Sequence, residues 1–205
     1  MRKILANLSK LRSQAGFTMI ELLIVIAILG ILAVAVLSAI NPVEQINRGR
    51  DTGSRSDAEQ LLSAIDRYNA FQGYYPWQNG ASDDVYAVPF QLWDDSTVGD
   101  EFNQNTPGTC LVSDLLSAGD GATCTGANEL KVTFFNRIFD GGYNYLHIYH
   151  GDNASDSTYI CFEPKSDAFI TEATNRCTSG LPDDLLSIDA TICDDTNDIY
   201  FICIP

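Results

Sequence analysis

The chain has 205 residues, with 27 Asp and Glu against 12 Lys and Arg, and a formal charge of −15. So acidic a protein lacks the cation density that phosphate contacts need, which argues against nucleic-acid binding. Its length suits a single domain beside an N-terminal segment and is ample for a modest core.

Residues 1–16, MRKILANLSKLRSQAG, carry Arg2, Lys3, Lys10 and Arg12 and no acid. The run 17–40 follows, FTMIELLIVIAILGILAVAVLSAI, in which Glu21 is the single charge. As a helix, at about 1.5 Å per residue, it covers roughly 36 Å and exceeds a bilayer core of about 30 Å. The basic residues before it predict a cytoplasmic N-terminus, with everything beyond residue 40 exported. Glu21 lies one turn into the apolar run, where an unpaired carboxylate is costly. Either it sits at headgroup depth and reaches water, or it has a functional partner.

Beyond the run, Pro42 breaks or kinks a helix, and Gly49 and Gly53 weaken one. Ser56-Asp57-Ala58-Glu59 fits a capping box that restarts it. Ala58, Leu61, Leu62, Ile65 and Tyr68 then form an apolar stripe at helical spacing. Local physics therefore predicts two helices with a loose joint at about 41–55. Gly73-Tyr74-Tyr75-Pro76 supplies the stop, with a glycine able to turn left-handed and a proline that prevents continuation.

Two stretches carry a family resemblance, over about residues 10–77. Gly16-Phe17-Thr18-Met19-Ile20-Glu21 resembles the cleavage and methylation motif of type IV pilins and type II secretion pseudopilins. RSDAEQLLSAIDRYNAFQGYYP resembles the end of the pseudopilin helix and its exit. The resemblance implies cleavage between Gly16 and Phe17 by a prepilin peptidase/methyltransferase, N-methylation of Phe17, and a role for Glu21 in aligning an arriving subunit. It implies a near-continuous helix from about 17 to 72, and partners that include other copies of the chain, the membrane and an assembly platform. The division it suggests is a leader at 1–16, a transmembrane or filament-core helix at 17–40, an exported helical half at 41–73 and a globular part at 74–205. Without the leader's four cations, eight Lys and Arg face 27 acids, a side-chain charge of −19.

From 77 to 126 the sequence is loop-like, with a short helix expected at 111–117. Strands are expected at 130–135 and 143–149, joined by a turn at Asp140-Gly141-Gly142, and at 159–163 and 199–204. The predicted fold is α+β and pilin-like: a long N-terminal helix packed on a small antiparallel sheet, with disulfide-bonded loops. All six cysteines, Cys110, Cys124, Cys161, Cys177, Cys193 and Cys203, fall in the exported part and read as disulfides. Short local loops favour Cys110–Cys124, Cys161–Cys177 and Cys193–Cys203. No Cys-x-x-Cys supports zinc or redox chemistry.

Candidate chemistry is sparse. His147 and His150, three apart in a strand, point to opposite faces and make poor co-ligands. No Gly-x-Ser-x-Gly is present, and no carboxylate pair is singled out, so an enzyme is not expected. Oxygen ligands suited to calcium cluster at Asp194, Asp195 and Asp198, at Asp183-Asp184, at 152–156 and, faintly, at 117–121; each also reads as a solvated turn. Tyr74, Tyr75, Trp77, Tyr86, Phe90 and Trp93 read as core beneath the loops or as a stacking surface. The functional expectation is a structural subunit of a pilus or secretion pseudopilus, on the cell surface or in the periplasm. The alternative is a signal-anchored binding protein that never polymerises.

Overall fold

The computed structural model describes residues 16–78, 80–82, 88–92, 110–118, 124–139, 145–188, 192–194 and 199–205. It divides into two units, residues 1–42 and 43–205. In the first, helix α1 (Met19–Ala39) is apolar on every side and none of its described side chains is buried. It ends at Ile40, which is extended, and α2 (Pro42–Gln72) begins two residues on. Proline is tolerated in a first helical turn because its missing N–H has no partner there. It also disfavours helical backbone at Asn41 before it. The near-continuous helix implied by the resemblance is thus interrupted, but the interruption is confined to residues 40–41. α2 runs without a break through Gly49 and Gly53, and the supposed restart at Ser56 lies inside it. It stops at Gly73, whose φ of +79° is the left-handed turn that glycine permits and whose N–H bonds to the Asn69 carbonyl.

The second unit is built on α2. Ala58, Leu61, Ala64, Ile65 and Tyr68 are buried in the main core, with Leu62 half-buried beside them. Facing them is a four-stranded antiparallel sheet in the order β1-β2-β3-β6, from β1 (Val88–Leu92), β2 (Leu146–His150), β3 (Thr158–Phe162) and β6 (Ile202–Ile204). Alternation divides the strands between two cores. Leu146, Ile148, Ile160, Phe162 and Ile202 join the α2 side. Tyr149, Tyr159, Cys161 and Cys203 join a smaller cluster with Leu185 and Ile192 on the other. Leu185 comes from α6 (Asp183–Ile188), and a second ribbon pairs β4 (Cys193–Asp194) with β5 (Ile199–Tyr200).

Several expectations are corrected. Residues 130–135, read as a strand from their β-branched and aromatic content, contribute to helix α4 (Val132–Phe139). Phe134, Phe135 and Ile138 are buried at helical spacing. The strand at 199–204 is two short strands that pair with different partners on either side of Phe201. The short helix expected at 111–117 is α3 (Val112–Leu116). The turn at 140–142 lies outside the described residues. β1 was unanticipated, and so was α5 (Asp167–Ser179), which buries only Ala173.

Cys110–Cys124 forms, but the other two guessed pairings are wrong. The bonds are Cys161–Cys203 and Cys177–Cys193. Cys161 and Cys203 are directly opposed across β3 and β6, with Cα atoms 4.0 Å apart. Sheet pairing closes that 42-residue loop, so nearness in sequence does not decide it.

Charged contacts join the helices. Arg67 pairs with Glu129 at 2.6 Å, and Arg137 on α4 pairs with Asp57 on α2. Asp57 is buried; desolvation raises its pKa above the ordinary carboxylate value and Arg137 draws it back. A raised folded pKa means that the ionised, buried Asp57 costs stability as pH rises through that pKa. The cost vanishes below the unfolded value of 3.8.

Two outcomes are expected. Peptide mapping without reduction yields Cys161–Cys203 and Cys177–Cys193 peptides; a Cys161–Cys177 peptide would overturn this arrangement. Arg137→Gln removes the counter-charge and lowers stability by roughly 1–2 kcal/mol at pH 7. Melting curves should show that deficit shrinking as the pH falls through the ionisation of Asp57, and a deficit that grows on acidification would contradict the assignment.

Candidate functional site

Residues 16–18 precede α1 outside any helix or strand and are exposed, and Thr18 itself is extended. Thr18 is the N-cap of α1, and Glu21 stands at its third helical position. The two close a reciprocal capping box. The Thr18 Oγ1 accepts from the Glu21 N–H at 3.3 Å, while a Glu21 carboxylate oxygen accepts from the Thr18 N–H at 2.8 Å and its hydroxyl at 2.6 Å. The Thr18-x-x-Glu21 spacing carried this signal, and sequence reasoning overlooked it. An acid in the first turn also faces the positive end of the helix dipole. Glu21 therefore enters the apolar run with its carboxylate already bonded within its own chain. Phe17, 85% exposed, stands one residue before the cap. Gly16, with no atom within 4 Å of where a Cβ would be, leaves the Gly16–Phe17 peptide sterically open.

From Met19 to Ser38 the helix is long and apolar enough to cross a membrane, and it lies near the N-terminus. At 21 residues and about 1.5 Å each, α1 measures roughly 31 Å, the thickness of a bilayer core. A helix hydrophobic all round has no solvent side and must be covered by lipid or by other apolar helices.

The family model of the prokaryotic N-terminal methylation motif matches residues 11–37, which take in Gly16 to Glu21 and most of α1. Fimbrial protein Q of Moraxella bovis is 32% identical over 130 residues, covering 62% of this chain and 73% of the relative. The chain belongs to the type IV pilin and pseudopilin family. Type II secretion system core protein G of Pseudomonas aeruginosa is 34% identical over 65 residues, 32% of this chain and 44% of the relative. No solved structure matches the chain. The family is one of structural subunits, anchored by an N-terminal apolar helix and assembled into filaments.

The remaining candidates fall elsewhere. Asp195 and Asp198 lie outside the described residues, and of Asp194 only the backbone is described. Asp184 accepts from the Tyr159 hydroxyl at 3.0 Å and from the Leu185 N–H at 3.0 Å. Asp156 accepts from the Asn153 N–H at 3.0 Å in a tight turn. Among the described residues no three metal-ligating side chains cluster. The histidines do face opposite ways. His150 is buried against Tyr75, its ring centroid 4.6 Å away, whereas His147 meets Phe201 at 4.8 Å. Tyr74, Tyr75 and Trp77 pack on or in the main core. Tyr86 and Trp93 lie outside the described residues, and Phe90 is described by its backbone in β1.

A buried acid that sequence reasoning missed is Asp51 on α2. Its carboxylate accepts from the Lys165 and Ser166 N–H groups and from the Ser166 hydroxyl, while Glu44 accepts from the Asp167 N–H at 3.1 Å. Two carboxylates of α2 thus satisfy amides at the start of α5, where the helix dipole favours negative charge. Asp51→Ala leaves those buried donors unpaired and should lower stability by about 2–3 kcal/mol, read by thermal melting of the detergent-solubilised protein. A variant that melts with the parent would show the contact to be unimportant.

Proposed function

We propose that this chain is a filament subunit of a type IV pilus or secretion-type pseudopilus, cut between Gly16 and Phe17 and N-methylated on Phe17. The observation that carries the reading is an exposed Gly16-Phe17-Thr18 segment, outside any helix or strand, set directly before an uncovered apolar helix capped by Thr18 and Glu21. An exposed peptide outside regular structure beside the membrane is what a peptidase needs to reach, and the basic leader that precedes it supports a cytoplasmic N-terminus. Cleavage removes four cations that resist extraction from the bilayer and frees an amine at Phe17.

Assembly then moves α1 from lipid into a bundle of like helices, with little change in apolar environment. In the membrane the Glu21 carboxylate is held by Thr18. In the bundle, the Phe17 amine of one copy is a charge partner for Glu21 of another, and an ion pair inside an apolar bundle is a strong register signal. The acidic, disulfide-bonded domain stays outside. The longer likeness, to a fimbrial protein, supports the pilus over the secretion role. A separate, weaker proposal, against solvated turns as the alternative, is calcium held by Asp194, Asp195 and Asp198, tested by metal analysis and calcium-dependent melting.

Intact mass and N-terminal sequencing of the protein from its native membrane should give a chain that starts at methylated Phe17. Glu21→Ala should insert normally yet reduce sheared surface filaments at least about tenfold, as loss of a desolvated charge pair predicts. A chain that starts at Met1, with Glu21→Ala indifferent, would leave a signal-anchored, non-polymerising protein.

A further inference from the structure

The core-facing side of α2 runs further than the fold that covers it. Positions 43, 46, 50, 54, 57, 61, 64 and 68 form one line along the helix, at spacings of three or four. From Ser54 to Tyr68 that line is buried. Below it Val43 is 62% exposed, Ile46 is 57% exposed and Arg50 is exposed. On the opposite side of the same helix stand Glu59 and Asp66, nine and sixteen residues on, both exposed.

Among the described residues, Arg50 and Glu59 hold no charged partner within the monomer, and Asp66 feels only the field of its neighbour Arg67. Arg55, Arg67, Arg137 and Arg176 each hold a carboxylate of their own fold. Among the described residues, no ion pair or side-chain hydrogen bond involves Arg50, Glu59 or Asp66. A processed subunit of side-chain charge −19 repels its copies, so a free arginine beside two exposed aliphatics is the complement that such copies lack.

Resting on the filament reading, we propose that Val43, Ile46 and Arg50 form an intersubunit contact that docks on the Glu59–Asp66 side of α2 in a second copy of this chain. The two surfaces lie on opposite sides of one helix, so the contact is head-to-tail and propagates into an open polymer rather than closing a dimer. With parallel helices, the axial offset between copies is about 13 Å for Arg50 against Glu59, and about 24 Å for Arg50 against Asp66. Val43 and Ile46 exclude water beside the pair, which strengthens it relative to an exposed one.

The test is charge reversal in cells that assemble the parent protein. Arg50→Glu should lower sheared filaments at least about tenfold, since like charges across an interface are costly, while membrane level and Phe17 processing stay normal. Adding Glu59→Arg or Asp66→Arg to it should restore assembly to within about threefold, and the restoring partner identifies the offset. Arg48→Glu carries the same charge change on the Glu59 side and should cost less than about threefold, which separates the contact from net charge. Because all six native cysteines are paired, Arg50→Cys with Glu59→Cys, or with Asp66→Cys, should give intermolecular disulfide ladders in assembled filaments. The proposal is overturned if Arg50→Glu assembles like the parent while Glu21→Ala does not, an outcome that leaves the filament reading standing. It is equally overturned if neither reversal restores assembly and no ladder forms, or if Arg50→Glu loses membrane retention instead. A parent that keeps Met1 and forms no filament would remove the filament reading itself.

Discussion

The burial of one stripe of α2 is the interaction on which the second unit, residues 43–205, depends. Leu61, Ala64 and Ile65 lie with Ile148, Ile160 and Phe162 in one core, so the sheet has a face to pack against. Each fully buried aliphatic side chain contributes about 1.5–3 kcal/mol of transfer free energy, more than any single charged contact at the surface. Polar contacts then orient what the stripe does not reach. Asp51 and Glu44 take the first amides of α5, and Arg55 pairs with Glu172 at 2.6 Å while lying over Phe169. α5 buries so little apolar surface that these contacts, with the Cys177–Cys193 bond, position it.

A second constraint acts on α1, which has no polar side to offer water. Lipid and a bundle of like helices are the two environments that satisfy it, and a filament subunit passes from one to the other. The capping box gives Glu21 a partner in its own chain for as long as the helix stays in lipid. That partner is a neutral hydroxyl and amide, weaker than a charged group would be. The helix thus carries its one charged side chain, Glu21, already bonded within its first turn.

Legibility followed the range of the interactions. The anchor, the stripe from Ala58 to Tyr68 and the stop at Gly73 were readable because each depends on residues within one or two turns. β2 and β3 were readable for the same reason, from short runs of β-branched and aromatic residues. α4 was misread because Val132, Thr133 and Phe134 have strand-like propensity, and only the burial of Phe135 and Ile138 against the core decides for a helix. α5 was missed because it has almost no apolar stripe. At the candidate site, the methylation motif around Gly16 to Glu21 was legible, while Thr18's reciprocal bonds were overlooked although their spacing was present.

The sequence by itself determined the acidic charge, the apolar anchor, the oxidised state of the cysteines and the boundary at Pro42. Charge, hydropathy and backbone restriction are properties of single residues and their near neighbours. Only the tertiary structure decided which cysteines meet, where Asp51 finds its donors, and which side of α2 is left uncovered at Val43, Ile46 and Arg50. Those depend on β6 returning beside β3 and on where the sheet ends along α2, distances that no local pattern encodes.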